Sequence, residues 1–365
     1  MENLVTTHLE YYKSNFNGKK VFVTGHTGFK GSWLLVILNK IGAATKGFAL
    51  EPENNKEVFQ EIADAISFES CIETILNYDK LEKEILTFQP DFIFHLAAQP
   101  LVRLSYEIPL ETFQVNVIGT ANVLNAARKL EKECQIICIT TDKVYHNKEE
   151  MYAYKETDSL GGFDPYSASK AASELIIDSY RKSFFNVDNF QNHKKAIASV
   201  RAGNVIGGGD WSKDRLIPDI INSLHENIDV RVRNPNSIRP WQHVLEPLFG
   251  YLNLAINLKN DPIKFGTSYN FGPLVNDNLT VIEVVKKAIE VFGKGNYVIE
   301  KSSNQPHEAN LLQLDISKVM NHLNWQPKFS ANEAIELTVN WYKNYLNKQN
   351  AFQLIQKDID SFLNN

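Results

Sequence analysis

The chain has 365 residues, 43% of them hydrophobic and 22% charged, which is typical of a globular protein with one large or two interleaved domains and excludes a disordered chain. Lysine and arginine total 38 against 43 aspartates and glutamates, and the net charge of −5 gives no reason to expect nucleic acid or a membrane as a partner. The sequence has no membrane-spanning run and no signal peptide, and its cysteines (Cys71, Cys134 and Cys138) are not spaced as zinc ligands. We therefore expect a cytoplasmic protein with reduced thiols and no metal.

A glycine-rich turn joins the first predicted strand to the helix after it. The segment KKVFVTGHTGFKG, residues 19–31, begins as a buried apolar strand and continues into three glycines and an apolar helix. Glycines let the backbone approach a ligand, and a helix N-terminus offers free N–H groups and a positive dipole end to a phosphate. The alternative is a structural glycine turn. We predict that the turn binds a dinucleotide pyrophosphate through Gly25, Thr27, Gly28, Phe29, Lys30 and Gly31.

Short apolar runs alternate with helical patterns further along the chain. The runs AATKGFA, FIFHLAA, QIICIT and KAIASVRAG begin at residues 43, 92, 135 and 195. This alternation predicts an α/β fold with a doubly wound, Rossmann-like parallel sheet. We expect a cofactor domain from residues 18–205 plus about 239–273, interleaved with a smaller substrate domain from about 206–238 plus 274–350.

A carboxylate follows the second predicted strand. Glu51 lies about 20 residues beyond Gly31, where dinucleotide-binding folds place the acid that contacts the adenosine ribose of NAD. We therefore count Glu51 among the cofactor-binding residues and favour NAD over NADP. The alternative is a solvated surface glutamate ahead of Pro52.

Apolar residues at helical spacing predict two long helices, at 109–130 and 165–185. If their apolar faces remain exposed, these two helices would pair across a two-fold axis, so we expect a homodimer or a dimer of dimers. Further helices are predicted near 216–226, 244–258, 280–292 and 331–347, and one late strand begins at Ser268.

Two groups of polar residues could carry chemistry. Tyr166 and Lys170 are four residues apart and share one helix face, where the ammonium would favour the phenolate by lowering the pKa of the tyrosine. Thr141, Asp142 and Lys143 follow the strand QIICIT at the carboxyl edge of the sheet, and offer a hydroxyl, an acid and an amine for an elimination. The alternatives are an exposed helical pair and a capped turn with a solvated ion pair.

Motifs along most of the chain resemble those of the CDP-glucose 4,6-dehydratases, which are extended short-chain dehydrogenase/reductases. They are TGHTGFKG, HLAAQPLVRLSY, TTDKVY, DPYSASK, RAGNVIGGGDW, RLIPD, RPWQHVLEP and NFGP. The TDK triplet, GNVIGGGDW and RPWQHV are similar to this branch alone, since the dTDP-glucose enzymes have a glutamate at the position of Lys143. Residues 73–77, ETILN, depart from the family, which places an adenine-binding aspartate there.

The resemblance implies CDP-glucose as substrate, NAD as cofactor and a place in deoxysugar synthesis, for example for lipopolysaccharide. Tyr166 with Lys170 would deprotonate the C4 hydroxyl as hydride passes to NAD, and Asp142 would protonate the departing C6 hydroxyl. The base for the C5 proton is Lys143, Tyr145 or His146. The alternatives are another nucleotide-sugar 4,6-dehydratase or epimerase of this fold, and a non-catalytic NAD-binding regulator.

The same resemblance assigns further binding residues. The arginines among them suit bidentate contacts to a diphosphate. For the cofactor, the resemblance adds Ala97, Ala98 and Gln99; for the substrate it implies Arg103, Asn204, Arg215, Leu216, Arg233, Arg239, His243 and His307.

Overall fold

The computed structural model describes residues 8–52, 58–300 and 311–364. Its strands are β1 (Lys20–Thr24), β2 (Ala44–Ala49), β3 (Glu69–Ile72), β4 (Phe92–His95), β5 (Cys134–Ile139), β6 (Ala153–Tyr154), β7 (Lys195–Ala202), β8 (Val205–Ile206), β9 (Val230–Val232), β10 (Ile238–Arg239), β11 (Gln242–His243), β12 (Ser268–Phe271), β13 (Leu279–Thr280), β14 (Tyr297–Ile299) and β15 (Gln313–Leu314).

The central sheet is parallel throughout and runs in the order β12–β7–β5–β4–β1–β2–β3. The predicted doubly wound, Rossmann-like fold is therefore confirmed. Because β1 lies between β2 and β4, the winding reverses beside it, and a crevice for ligands opens at the carboxyl ends of the strands. The late strand predicted at Ser268 is confirmed as β12, which forms the edge of the sheet beside β7.

Helices cover both faces of the sheet, and the long helix predicted at 165–185 is confirmed as α8. The helices are α1 (His8–Phe16), α2 (Phe29–Lys40), α3 (Val58–Ala63), α4 (Tyr78–Phe88), α5 (Val102–Glu107), α6 (Pro109–Phe113), α7 (Gly119–Arg128), α8 (Pro165–Ser183), α9 (Phe190–His193), α10 (Leu216–Glu226), α11 (Leu245–Asn260), α12 (Pro262–Phe265), α13 (Val281–Phe292), α14 (Ser317–Leu323), α15 (Ala331–Leu346) and α16 (Ala351–Asn364).

The helix predicted at 109–130 is interrupted. A single π turn, Gln114–Ile118, separates α6 from α7. Such π turns are frequent at functional sites. The later helices predicted near 216–226, 244–258, 280–292 and 331–347 correspond to α10, α11, α13 and α15.

Two apolar layers hold the sheet. Alternate residues of β1 point to opposite faces: Val21 and Val23 belong to the layer beneath α2 and α11, and Phe22 to the layer beneath α4 and α7. All three side chains are fully buried, as are Cys134 and Cys138 of β5. The three cysteines are free thiols.

Candidate active site

A cavity of 1120 Å³ opens at the carboxyl ends of the parallel strands. Its wall includes Phe29 and Lys30 from the start of α2, Ala98 after β4, and Thr141 after β5. The cavity therefore lies at the reversal point of the sheet, where doubly wound folds bind their ligands. It also receives side chains from α5, α8, α10 and the segment after β9.

The glycine turn fits a dinucleotide pyrophosphate. Gly25 has φ +76°, and a Cβ added there would lie 2.7 Å from the Ala97 nitrogen. Gly28 is the N-cap of α2 and makes no side-chain cap, so a ligand oxygen can approach the first N–H groups of the helix. Thr27 fastens the turn by donating from Oγ1 to the Leu50 carbonyl at 2.9 Å.

Lys30 brings a cation into this turn. Its side chain lines the cavity, and burial lowers its pKa to about 7, with the nearby cations Lys170 and Arg215 acting in the same direction. A bound anion would reverse that shift by favouring the ammonium.

The other predicted cofactor residues are distributed around the carboxyl edge. Glu51 is exposed just beyond β2. Ala98 lines the cavity, whereas the Ala97 N–H binds the Thr24 hydroxyl. The Gln99 side chain is committed to the protein, because its amide nitrogen donates to the Leu101 carbonyl and its amide oxygen accepts from the Leu101 N–H.

Asn116 lies at the same edge of the sheet, and no motif in the sequence predicted a role for it. It lies in the π turn; its Oδ1 accepts from the Gln99 N–H at 2.9 Å, and its Nδ2 donates to the Gln99 carbonyl and to Ser169 Oγ at 2.8 Å. The Asn116 carbonyl accepts from Ser173 Oγ at 2.7 Å. Asn116 therefore ties the segment after β4 to α8.

Tyr166 and Lys170 lie in the first turns of α8, as predicted. The helix begins with Pro165 and is capped by Asp164, whose Oδ1 accepts from the Ser167 N–H at 2.9 Å. Both side chains line the cavity. Lys170 Nζ donates to the Ile139 carbonyl at 3.0 Å.

The pKa values of this pair differ from the expectation. Burial raises the pKa of Tyr166 to about 12, while the Thr141 hydroxyl opposes the rise. Burial also lowers the pKa of Lys170 to about 8, against the attraction of Glu174. The lowered tyrosine pKa that the spacing predicted is therefore not found, because burial outweighs Thr141 and Arg215, the groups that act to lower it.

Asp142 and Lys143 form a pair in a 3₁₀ turn directly after β5. Asp142 Oδ1 accepts from Thr141 Oγ1 at 2.9 Å and from Lys143 Nζ at 3.2 Å. Asp142 is fully buried, and its Oδ2 has no hydrogen-bond partner within the described residues. Lys143 lines the cavity, whereas Asp142 lies behind it. The unpartnered oxygen suits a carboxylic acid that donates its proton to a ligand.

Of the other two candidate bases, Tyr145 is held by a buried network. Its hydroxyl donates to Asn270 Oδ1 at 2.6 Å and accepts from Arg201 Nη1 at 2.9 Å. Arg201 pairs in turn with Glu174, Nη2 to Oε2 at 3.0 Å. Burial raises the pKa of Tyr145, against the effect of Arg201. The Tyr145 hydroxyl is therefore committed to this network, although both Tyr145 and His146 line the cavity.

Most of the predicted substrate residues converge on the cavity. Its wall includes Arg103, Asn204, Arg215, Leu216, Arg233 and Arg239.

Two predicted substrate residues stand apart. His243 is fully buried, contacting Trp33 and Phe329 edge to face, and is absent from the cavity wall. Its strand β11 pairs with β8, His243 opposite Ile206, and this pairing places the ring in the core. The structure therefore places His243 in the core and outside the cavity wall. His307 lies outside the described residues.

Within residues 8–52, 58–300 and 311–364, no three His, Cys, Asp or Glu side chains come together as metal ligands. In the same part of the chain, no helix combines the length and apolarity needed to cross a membrane.

Comparison with known proteins agrees with the fold and the motifs. The family model described as GDP-mannose 4,6 dehydratase matches residues 22–338. The chain is 44% identical over 351 residues to the CDP-glucose 4,6-dehydratase of Salmonella typhimurium. The alignment covers 96% of this chain and 98% of that protein. It is 26% identical to the dTDP-D-glucose 4,6-dehydratase of Mus musculus, over 93% of each chain.

Solved structures share the same fold. An epimerase from Methanothermobacter thermautotrophicus superposes with a TM-score of 0.77 at 22% identity, covering 96% of this chain and 97% of that one. A dTDP-glucose 4,6-dehydratase from Bacillus anthracis, solved in complex with NAD, has a TM-score of 0.72 at 23% identity, covering 90% and 97%.

Proposed function

Because this chain belongs to the GDP-mannose 4,6-dehydratase family, we propose that it is an NAD-dependent lyase that converts CDP-glucose to CDP-4-keto-6-deoxyglucose. The observation that carries the proposal is the 44% identity to a CDP-glucose 4,6-dehydratase over nearly the whole of both chains. The intact Thr141, Asp142, Lys143, Tyr166 and Lys170 around one cavity support it.

NAD would occupy the glycine turn, held by backbone N–H groups from Gly28 to Gly31, with Glu51 placed for the adenosine ribose. When bound, NAD would supply the hydride chemistry, as acceptor for the hydrogen at C4 and donor of hydrogen for C6. Lys170 is anchored on the Ile139 carbonyl and holds positive charge beside the reacting tyrosine.

Tyr166 is the base for the C4 hydroxyl, which Thr141 orients by a hydrogen bond. Oxidation at C4 makes the C5 proton acidic, and elimination of the C6 hydroxyl follows. We assign Asp142, whose Oδ2 is unpartnered, as the acid for the departing C6 hydroxyl, and the adjacent Lys143 as the base for the C5 proton. Water leaves, C5 takes up a proton as hydrogen is delivered to C6, and the keto group remains at C4.

Among the arginines of the cavity wall, Arg103, Arg215, Arg233 and Arg239 would bind the substrate diphosphate, with Asn204 and Leu216 also lining the site. Incubation with CDP-, dTDP-, GDP- and UDP-glucose, followed by mass measurement of water loss, tests the function. We expect CDP-glucose to be converted far faster than the others. Comparable conversion of a purine nucleotide sugar would refute the assignment to this substrate.

We also propose a homodimer through the helices that carry exposed apolar side chains. Leu110 of α6 is 79% exposed, Ile118 of the π turn 53% and Leu175 of α8 61%. Leu175→Asp should give monomers in size-exclusion chromatography with light scattering. Ile263→Asp, on α12 and 72% exposed, is the matched control and should leave the mass unchanged.

The cytoplasm is the proposed location, supported by the three free thiols.

A further inference from the structure

Two aspartates and two arginines form an ion-pair cluster in the wall of the cavity. Arg103 Nη1 lies 3.7 Å from Asp214 Oδ1, and Arg233 Nη2 lies 3.5 Å from the same oxygen. Arg233 Nη2 is also 3.7 Å from Asp219 Oδ2. The two aspartate side chains are 45% and 44% exposed and the arginines 25% and 29%, so a ligand in the cavity can reach all four.

These contacts are looser than another ion pair of the same cavity. Arg215 Nη1 and Asp210 Oδ2 are 2.7 Å apart, a charged hydrogen bond with the aspartate buried. Charged N–H to O hydrogen bonds are about 2.7–2.9 Å long, and the pairs of Asp214 and Asp219 exceed this distance. Exposed pairs of this kind contribute little stability and exchange readily for a better partner.

The Asp214 backbone holds the side chain where one carboxylate oxygen lies near the guanidinium groups of both Arg103 and Arg233. Its φ is +59°, in the left-handed region that few residues other than glycine adopt. Burial raises the pKa of Asp219 to about 6; Arg233 and Arg103 oppose this and Asp214 adds to it. At pH 7.5 Asp219 is therefore a carboxylate.

We propose that Asp214 and Asp219 are a built-in counter-ion for the diphosphate-binding arginines, and that the diphosphate of the nucleotide sugar displaces them when it binds. The inference rests on the proposed function, because it takes Arg103 and Arg233 to bind that diphosphate. The charges match, since a sugar nucleotide diphosphate carries two negative charges and the two aspartates together carry two. Without these carboxylates, the arginines of the cavity would repel one another across a short distance.

The carboxylates thus compete with substrate for the same guanidinium groups, and removing one should strengthen binding. Asp214→Asn keeps the shape and tolerates the left-handed backbone. Since Asp214 makes two pairs of the exposed kind, the dissociation constant for CDP at pH 7.5 should fall by roughly 2- to 30-fold. Asp219→Asn removes one pair and should give a smaller decrease. The KM for CDP-glucose should fall with kcat nearly unchanged, because the residues around the sugar are untouched.

Asp178→Asn is the matched control. Asp178 also bridges two cations, Arg181 at 3.3 Å and Lys182 at 2.6 Å, but it lies on α8 outside the cavity wall. The Asp178→Asn variant should bind CDP with the same affinity as the unaltered protein.

Titration calorimetry with CDP separates the possible failures. If the unaltered protein does not bind CDP, the proposed function fails, and this inference falls with it. If the unaltered protein binds CDP but Asp214→Asn binds no tighter, or binds more weakly, the proposed function stands and the competing role of Asp214 is refuted. Weaker binding would show that Asp214 positions the arginines for the ligand.

Discussion

Replacing Lys143 by methionine tests which group removes the C5 proton. Lys143 Nζ lies 3.2 Å from Asp142 Oδ1 in the cavity wall, and methionine keeps an unbranched apolar stem while deleting the amine. Loss of a general base costs about 10²- to 10⁴-fold in rate, which corresponds to ~3–5 kcal/mol of activation free energy. We expect conversion of CDP-glucose to fall by that factor.

The position of the block identifies the step. Tyr166, Lys170 and Thr141 are unchanged in Lys143→Met, so oxidation at C4 should continue while elimination stops. Rapid quenching and mass spectrometry should then detect a 4-keto sugar that retains its C6 hydroxyl. Dehydration at the unaltered rate would refute the assignment and leave His146 as the next cavity-lining candidate.

Tyr145→Phe is the companion variant. The Tyr145 hydroxyl makes hydrogen bonds of 2.6 Å to Asn270 and 2.9 Å from Arg201, which commit it to a buried network although the residue lines the cavity. Deleting it should lower the free energy of unfolding by about 1–3 kcal/mol, measurable by urea denaturation, and reduce the rate less than roughly tenfold. A rate loss as large as that of Lys143→Met would place Tyr145 in the chemistry instead.

Three other changes test the site and the core. Tyr166→Phe should lower conversion by about 10²- to 10⁴-fold while calorimetry shows NAD bound as before; near-normal conversion would mean another base at C4. Gly25→Ala, whose Cβ would lie 2.7 Å from the Ala97 nitrogen at φ +76°, should weaken NAD binding more than roughly tenfold. Gly18→Ala, at φ +71° with open space around it, controls for backbone strain and should bind NAD normally. Burial raises the pKa of Glu246 to about 7, so the folded protein holds an extra proton and loses about 3 kcal/mol of stability as pH rises from ~4.5 to 7. Glu246→Gln should lack that loss in urea unfolding at pH 5 and pH 8, and equal pH dependence in the two proteins would contradict the burial argument.

The sequence predicted the parts of this protein that depend on local pattern. The strand β5 is a continuous apolar run, and α8 is marked at its start by Pro165 and its cap Asp164. The residues that end strands at one edge, such as Thr141, fall at the cavity because the sheet is parallel.

The features that the sequence did not predict depend on contacts between segments that are far apart in the chain. Asn116 binds Gln99 and Ser169, 17 and 53 residues away, and nothing in its own neighbourhood marks it except the π turn. His243 resembled a ligand in the motif RPWQHV, yet the apolar residues Val244 and Leu245 beside it indicate burial. Burial also decided the pKa of Tyr166, and spacing along a helix cannot report burial.

The edge strand β12 has a consequence for synthesis. It pairs Ser268 with Ser199 and Phe271 with Ala202, so β7 leaves the ribosome long before its outer neighbour exists. During that interval β7 offers an unpaired edge on which other nascent chains can align. We expect ribosome-bound chains ending before residue 268 to recruit chaperones and to be digested by protease, and chains that expose β12 beyond the exit tunnel to become resistant. The sheet on which the cavity stands is thus completed only after residues 268–271 have been added.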